Sequence, residues 1–459
     1  MSGYLELVES ALAAGSRVGT LYASGGSVRT VIVSPHGATQ IAEAPLRDGR
    51  APSIVGLAPA AAWDEREAAD LYGIRFDGHE PLRPLVHHDL DLAGWTVPVH
   101  GKDVYQVAVG PTHAGVIESG HFRFHVVGDR ILQLDARLFY KHRGLERAAE
   151  GQSADGGLAY VGRACAACAV SNSVAYAHAW EELLGLAPTA DLARGRTILL
   201  ELERLWSHLN DIGAICAGVG FAAGNSGFAA LTERARRLNE RLTGHRFLFG
   251  AVQVGGSRFT LTRDDLAHAR TELEELRAES RRAWRELLFN ASFQDRLPDV
   301  GVVSAEDGRA LGAVGPAARA SGLPDDARAA GRRLAYDGFA AVAPRRTAGD
   351  VQARLEQRAV ELLQTFDLLD DLLADPLDAS AAVPGAPGAE AVGVGLVESP
   401  RGATVCVVER DGALIRRLHL RTGSYANWPV VAHAAAGNLL PDFPLINKSF
   451  ELCYACADR

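Results

Sequence analysis

Two Cys-x-x-Cys pairs, far apart in the chain, constrain this protein more than any other feature. Cys165 and Cys168 lie in the Ala-rich run "GRACAACAVSNSVAYAHAWE", and Cys453 and Cys456 in "PLINKSFELCYACADR". From 168 to 453 the separation is 285 positions. One such pair alone has several uses: half a zinc site, a redox disulfide, or two buried small residues. Four thiolates together suit zinc, an iron–sulfur cluster or another thiophilic metal. A zinc ribbon keeps its pairs roughly 15–20 residues apart, so a small zinc fold is disfavoured here. A zinc clamp between distant segments and an inert, metal-free pairing both stay open. The spacing favours a fold that brings two distant segments to one metal. Cys216 and Cys406 stand alone and read as buried small hydrophobes.

Composition narrows the setting. A chain of 459 residues buries a large core and carries a length prior of about three domains. Its 47% hydrophobic and 22% charged residues are ordinary for a globular protein. The net charge of −9 offers no basic footprint for nucleic acid or anionic lipid. The longest apolar runs fall short of the roughly 20 residues of a membrane-spanning helix. The opening "MSGYLELVESALAAGSRVG" carries two glutamates and no basic region before an apolar core, unlike a secretory signal. These features predict a cytoplasmic chain, in which paired cysteines point to metal or redox chemistry rather than disulfides.

Along the chain, residues 1–95 mix short β-rich runs ("RTVIVS", "PSIVGLAP") with the helix signal "AAWDEREAADLYGI" and predict a small α+β module. Residues 96–459 predict a mostly helical body with small β-rich pieces, so the fold class is α+β. In "TILLELERLWSHLNDIGAI", Ile198, Leu202, Leu205, Leu209 and Ile212 line one helical face. "TRDDLAHARTELEELRAESRRAWRELL" opens with a capping-box pattern at Thr262 and Asp265. "GDVQARLEQRAVELLQTFDLLDDLL" predicts a third long helix. Residues 374–392 are rich in Ala, Pro and Gly and predict a loop. The runs "TVCVVERDG" and "LIRRLHLRT" predict a hairpin turning at "RDG". The first cysteine pair leads into a helix, with Ser171 or Asn172 as the expected N-cap.

Several blocks carry a family resemblance. The two cysteine pairs resemble the metal-binding motifs of the nickel–iron hydrogenase large subunit, in which such pairs hold the nickel–iron centre. "GPTHAGVIESGHFRFHV", "YKHRGLER", "ELERLWSHLNDIG", "GDVQARLEQRAVE" and "DFPLINKSFELCYACADR" resemble, in order, blocks of the membrane-bound branch of that family. That branch is related to respiratory complex I and includes formate hydrogenlyase. Upstream, "PAAAWDEREAADLYGIRFDGHEPLRPL" looks like the 30-kDa complex I subunit, which some of these hydrogenases carry fused at the N-terminus. The alternative relative is the 49-kDa complex I subunit, a quinone-site protein without the cysteines; this chain keeps all four.

The resemblance implies a catalytic subunit that interconverts H2 with protons and electrons. Cys168 and Cys456 would bridge nickel and iron, with Cys165 and Cys453 as terminal nickel ligands and carbon monoxide and cyanide completing the iron. Cys453 would be the base that takes the proton when H2 splits heterolytically. Glu118 aligns with the glutamate that passes the proton outward, and Arg401 with the arginine over the open metal position. Thr422 and Ser424 would donate to an iron cyanide. His113, His121, His142 and Arg143 would support the fold or a partner interface. The sequence departs from the usual pattern in three places: Ala166 stands for a glycine, Asn172 for a histidine, and Glu451-Leu452 for Asp-Pro. Asn donates a hydrogen bond but cannot carry a proton. Family members lose a C-terminal tail, so ending at Arg459 implies either mature numbering or no encoded tail. Electrons would pass to a small iron–sulfur partner subunit, and complex-I-like membrane subunits would hold the protein on the inner face of the cell membrane.

Overall fold

The computed structural model describes residues 2–88, 92–113, 118–331, 333–342, 346–378, 381–384 and 391–459. At the start, Gly25 and Gly26 both take positive φ, which a two-residue hairpin needs. They fold β1 (after α1, Ser2–Ala13; β1, Arg17–Ser24) onto β2 (Ser27–Val33), and β3 (Thr39–Pro45) completes an antiparallel sheet. Helix α2 (Ala62–Tyr72) packs against it, and residues from Tyr4 to Phe76 form a small core of their own. The run "PSIVGLAP" is not a strand. Only Arg50–Pro52 is extended, and residues 53–58 turn. The reason is Glu65, whose buried carboxylate accepts from Ile54 N at 2.7 Å and Ser53 Oγ at 2.8 Å. A side chain thus satisfies donors that a strand would give to a ladder.

Next comes the antiparallel sheet β4 (Tyr105–Val109), β5 (His121–Val127) and β6 (Arg130–Arg137). The helical body is α3 (Ala169–Leu184), α4 (Ala190–Val219), α5 (Ala222–Thr243), α6 (Arg263–Leu288) and α7 (Val351–Leu372). The expected face of α4 is fully buried, but so are Leu199, Leu200, Glu201 and Arg204 on its other sides. This helix is therefore central, and its polar residues are paired inside the protein rather than solvated. The capping box at Thr262 and Asp265 opens α6 as expected. In the Ala/Pro/Gly-rich stretch, Leu377 and Ala381 make single bridges and Val383–Pro384 pairs with Leu186–Ala187. Residues 379–380 and 385–390 of that stretch lie outside the described residues.

The expected hairpin is β8 (after β7, Val392–Ser399; β8, Gly402–Asp411) with β9 (Leu414–Arg421), and β7 completes the sheet. α3 lies directly on β7. A Cβ at Gly393 or Gly395 would collide with the backbone oxygens of Ala179 and Ala175, so this contact requires glycine. The N-terminal sheet meets β8 and β9 through Tyr22, Val31, Val33, Val405 and Val407. Tyr22 also stacks on His419 at 5.5 Å, and Thr20 Oγ1 bonds to His419 Nε2 at 2.7 Å. Helices α8 (Gly423–Ala435), α9 (Phe443–Phe450) and α10 (Tyr454–Asp458) close the chain over β5, where Phe122, Phe443, Trp428 and Tyr454 pack edge to face or stacked.

One expectation at the start of α3 is corrected. Neither Ser171 nor Asn172 is the N-cap. The helix begins at Ala169 with Cys168 in the cap position and no side-chain cap of its own. The cap comes from another helix: Glu203 of α4 accepts from Val170 N at 2.6 Å, Ser171 N at 3.1 Å and the Ser171 hydroxyl. Glu203 is fully buried, so Glu203→Ala would strand these donors away from water. We expect a loss of at least about 2 kcal/mol of stability, read as a lower denaturant midpoint at unchanged slope.

Candidate metal centre

The two cysteine pairs, separated along the whole body, meet in one place. Cys165 and Cys168 precede α3, and Cys453 and Cys456 flank the start of α10. The sulfurs of Cys165, Cys168 and Cys456 lie within 4.8 Å of one another, and Cys165 and Cys456 are 2.8 Å apart. Cys453 joins them in one sulfur cluster, and none of the four is in a disulfide. Hydrogen bonds from Cys165 hold Cys168 and Cys453 well below the usual thiol range, and the Arg401 charge acts in the same direction. The thiolate on Cys168 also gains from the amide dipoles of the α3 N-terminus.

Each segment is fixed by its surroundings. Arg143 donates to Ala164 O at 2.7 Å and to Ala455 O at 3.4 Å, so one guanidinium ties both cysteine segments together. Asp458 accepts from Phe139 N at 2.7 Å and Lys141 N at 2.9 Å, and His142 Nδ1 reaches Asp458 O at 2.6 Å. Thr422 caps α8 and donates to Cys456 O at 3.2 Å, while Ser424 Oγ accepts from Cys453 N at 3.0 Å. Both hydroxyls therefore stand against the second cysteine pair. His113 and His121 bond instead to backbone oxygens of Gly120 and Gly110.

Arg401 occupies the tight turn between β7 and β8, where Ser399 pairs with Gly402. The Ser399 hydroxyl accepts from Arg401 N at 3.2 Å and donates to Gly402 O at 2.8 Å, which sets the turn. The guanidinium donates to Asp211 at 2.8 Å and to Glu451 O at 3.1 Å. Burial opposes its charge, but Asp211 and then the Cys168 thiolate outweigh burial and hold it above the ordinary arginine range. Its Nη1 is buried and has no hydrogen-bond partner among the described residues. Arg401, Cys165 and Cys453 line one cavity of about 650 Å3, together with Glu118, Lys141 and Trp206.

Glu118, half-buried, lines the same cavity. It accepts from Ala455 N at 2.8 Å, and Cys453 Sγ lies 3.8 Å from the same oxygen. Lys141 Nζ is 4.0 Å from its other oxygen. Burial, and next the Cys453 charge, raise its pKa. Gly120 makes this wall possible, because a Cβ there would press on the Tyr454 ring at 2.7 Å. Residues 114–117 of the same sequence block lie outside the described residues. Asn172 Nδ2 sits 4.0 Å from Cys456 Sγ.

Sequence reasoning missed Glu203, Asp211 and the linking role of Arg143. Burial, and next the Cys168 charge, push Glu203 up to about 8. Its only sequence signal was an acidic residue on a helix whose apolar face was already assigned. As a donor set, four clustered thiols beside a buried guanidinium with one unpartnered nitrogen fit a thiophilic metal centre. The fit is to soft sulfur ligation with one cationic side.

Comparison with known proteins accords with this geometry. Residues 226–384 and 381–459 match the 49-kDa subunit of respiratory-chain NADH dehydrogenase, and residues 31–100 match its 30-kDa subunit. Formate hydrogenlyase subunit 5 of Escherichia coli is 31% identical, with 89% of this chain and 77% of that protein covered. Hydrogenase-4 component G of the same organism is 30% identical, covering 89% and 76%. Among solved structures, a chain of the membrane-bound sulfane sulfur reductase, an archaeal respiratory membrane complex, superposes with a TM-score of 0.71. That chain is 26% identical, and the match covers 79% of this chain and all of that one. At this identity and coverage, the chain belongs to the family of membrane-bound, complex-I-related hydrogenase large subunits.

Proposed function

We propose that this protein is the catalytic subunit of a membrane-associated nickel–iron hydrogenase, interconverting H2 with protons and electrons. The observation that carries the reading is the convergence of all four paired cysteines beside the unpartnered Nη1 of Arg401. Cys165, Cys168, Cys453 and Cys456 would hold nickel and iron, with carbon monoxide and cyanide on the iron. When bound, this centre supplies the heterolytic cleavage of H2. The chain's own residues handle the proton. Cys453, held as a thiolate, takes it, and Glu118 at 3.8 Å receives it from sulfur. Glu118 faces both the cysteines and solvent, so the carboxyl can turn a proton over between them. Lys141 at 4.0 Å steadies the carboxylate left behind. Arg401, which lines the cavity, would supply a fixed positive charge and an unpartnered N–H beside the cysteines. The Ser424 hydroxyl and Thr422 would orient groups on the iron.

The partners follow from the same assignment. The centre's electrons would leave through a small iron–sulfur subunit, and complex-I-like membrane subunits would hold the protein at the inner face of the membrane. No described helix is long and apolar enough to cross a membrane, so attachment would be peripheral. A second reading is a quinone-linked or other reductase subunit without the nickel–iron centre. In its favour is the cavity of about 650 Å3, far larger than H2 requires.

Elemental analysis of the complex from its native host separates the two. The hydrogenase reading expects one nickel and one iron per chain, with infrared bands from carbonyl and cyanide; stoichiometric zinc, or no metal, removes it. Glu118→Gln keeps size and hydrogen bonding but cannot ionise. We expect metal content and infrared bands to persist while H2/D+ exchange falls by about 10²–10⁴-fold. In the unaltered protein, H2 uptake should fall as pH drops through the raised Glu118 pKa, above the usual value of about 4.3, because a protonated Glu118 cannot accept. Glu118→Gln should abolish that limb. Cys453→Ser, in contrast, should prevent metal assembly altogether. Near-normal exchange in Glu118→Gln would send the search for the relay elsewhere.

A further inference from the structure

Three potential ligand groups gather outside the cysteine site. Glu67 of α2, Glu146 and His419 of β9 bring ligand atoms within 4.8 Å of one another. Two carboxylates this close and this buried need a cation. The chain provides one: Arg459 reaches into the cluster from three residues beyond Cys456. Its Nη1 donates to Glu146 at 2.8 Å and to Leu420 O, and its Nη2 donates to Glu67. The guanidinium lies over the Tyr425 ring at 4.7 Å and is only 3% exposed. A planar fork of five donors suits several acceptors at fixed angles, which an ammonium would not.

The placement of Glu67 matters more than the pairing. Glu146 and Leu420 belong to the same body as the cysteines, whereas Glu67 belongs to α2, which joins the two: Ala68 packs in the N-terminal core and Trp63 against Tyr425 of the body. Arg459 is tied to the cysteine segment by Arg459 N to Ala455 O at 3.1 Å, and by Arg143 N to Arg459 O at 2.7 Å. Between Cys456 and Arg459 there is less than one helical turn, so a shift of the guanidinium is passed to the sulfur. If Arg459 left, Glu67 would lose this cation, while Glu146 would keep Arg417 and His419, each at 3.4 Å, and the Leu420 amide at 2.9 Å. The Arg459 guanidinium thus has its full set of acceptors only when α2 is docked. Burial raises the pKa of Glu146, but His419 and Arg459 outweigh it and hold it well below the usual carboxylate range.

We propose that Glu67 is a positioning residue for Cys453 and Cys456, acting through Arg459, so that the N-terminal elements help to set the sulfur geometry. The proposal concerns the placement of the sulfurs and is independent of which metal they hold.

The test uses the full-length, metal-free chain and follows iodoacetamide alkylation at each cysteine by mass spectrometry. Glu67→Gln should speed alkylation of Cys453 by about tenfold or more, the scale of one lost charge-assisted hydrogen bond. Cys216, buried elsewhere, should not change. Asp64→Asn is the control. Asp64 sits on the same helix and accepts from Thr20 Oγ1 and Leu21 N, both at 3.0 Å, and from Arg421 at 3.3 Å, without touching Arg459. It should lower stability but leave the Cys453 rate within about twofold. Glu67→Asp, which keeps the charge, should fall between Glu67→Gln and the unaltered chain. If Glu67→Gln does not fold, Arg459→Lys, which keeps the charge but loses the fork, should show the same rise. An unchanged Cys453 rate, or an equal rise in Asp64→Asn, overturns the proposal.

Discussion

The return of the last eighteen residues to the start of α3 is the constraint on which the rest of this structure depends. Two thiol pairs 285 positions apart meet only if the segment after α8 is held against sheet, helix and loop at once. No single strong contact does this. Arg143 grips backbone oxygens of both segments, Asp458 collects two amides from the loop after β6, and Thr422 and Ser424 bind the backbone of Cys456 and Cys453. The aromatic stack of Phe122, Trp428 and Tyr454 fills the space behind. Each contact is directional, so together they fix orientation as well as distance. Hydrophobic burial alone would leave that orientation free, because it follows area and not angle.

A metal ligand set of thiolates brings negative charge into a buried site, and the surrounding body is organised to answer it. Arg401 is a cation acting on these thiolates, and Asp211 fixes it while also binding Arg358 at 3.2 Å. Further in, Arg204, Arg319 and Arg328 face Glu201, Asp326, Glu361 and Glu398. Three guanidiniums cannot neutralise four carboxylates. Accordingly, burial, and next the Asp326 charge, push Glu398 up to about 7, so the cluster keeps a proton there near neutral pH. Buried pairs of this kind add little net stability over apolar packing, yet breaking one is costly. Their effect is to fix where α4, α7 and the Arg401 turn sit relative to one another. That is the same placement the cysteine site needs.

This division explains what was legible in the sequence. Helices announce themselves locally, so the periodic face of α4 and the capping box of α6 could be read directly. The β8–β9 hairpin was legible for the same reason. Errors occurred wherever a distant side chain replaced a local rule. Ser171 and Asn172 looked like caps because no local signal reveals that Glu203, over thirty residues on, performs the capping. "PSIVGLAP" looked extended because Ile54 and Val55 favour strands, while Glu65 decided otherwise. Asp211 was invisible for a related reason. An acidic residue beside an apolar stripe ordinarily faces water, and only the fold reveals two arginines facing it.

Two of the departures from the family pattern, at 172 and 451, can be given physical content on the same terms. At position 451 the side chain turns toward Lys448 at 3.6 Å, and it is the backbone oxygen that receives Arg401 Nε at 3.1 Å. The backbone there is left-handed, with φ 47°, which aims that oxygen at the guanidinium. The geometric duty of the position lies in its main chain, so a longer acidic side chain followed by Leu452 leaves it intact. Asn172 differs in kind. Its amide lies 4.0 Å from Cys456 Sγ, at the outer limit of a hydrogen bond to sulfur, and it has no titratable group. Beside Cys456 this side chain therefore donates but does not carry a proton. Glu118, by contrast, touches both Cys453 and the solvent-facing Lys141. Glu118 and Cys453 are thus a titratable pair in contact at the cavity, which is the arrangement the proposed proton route requires.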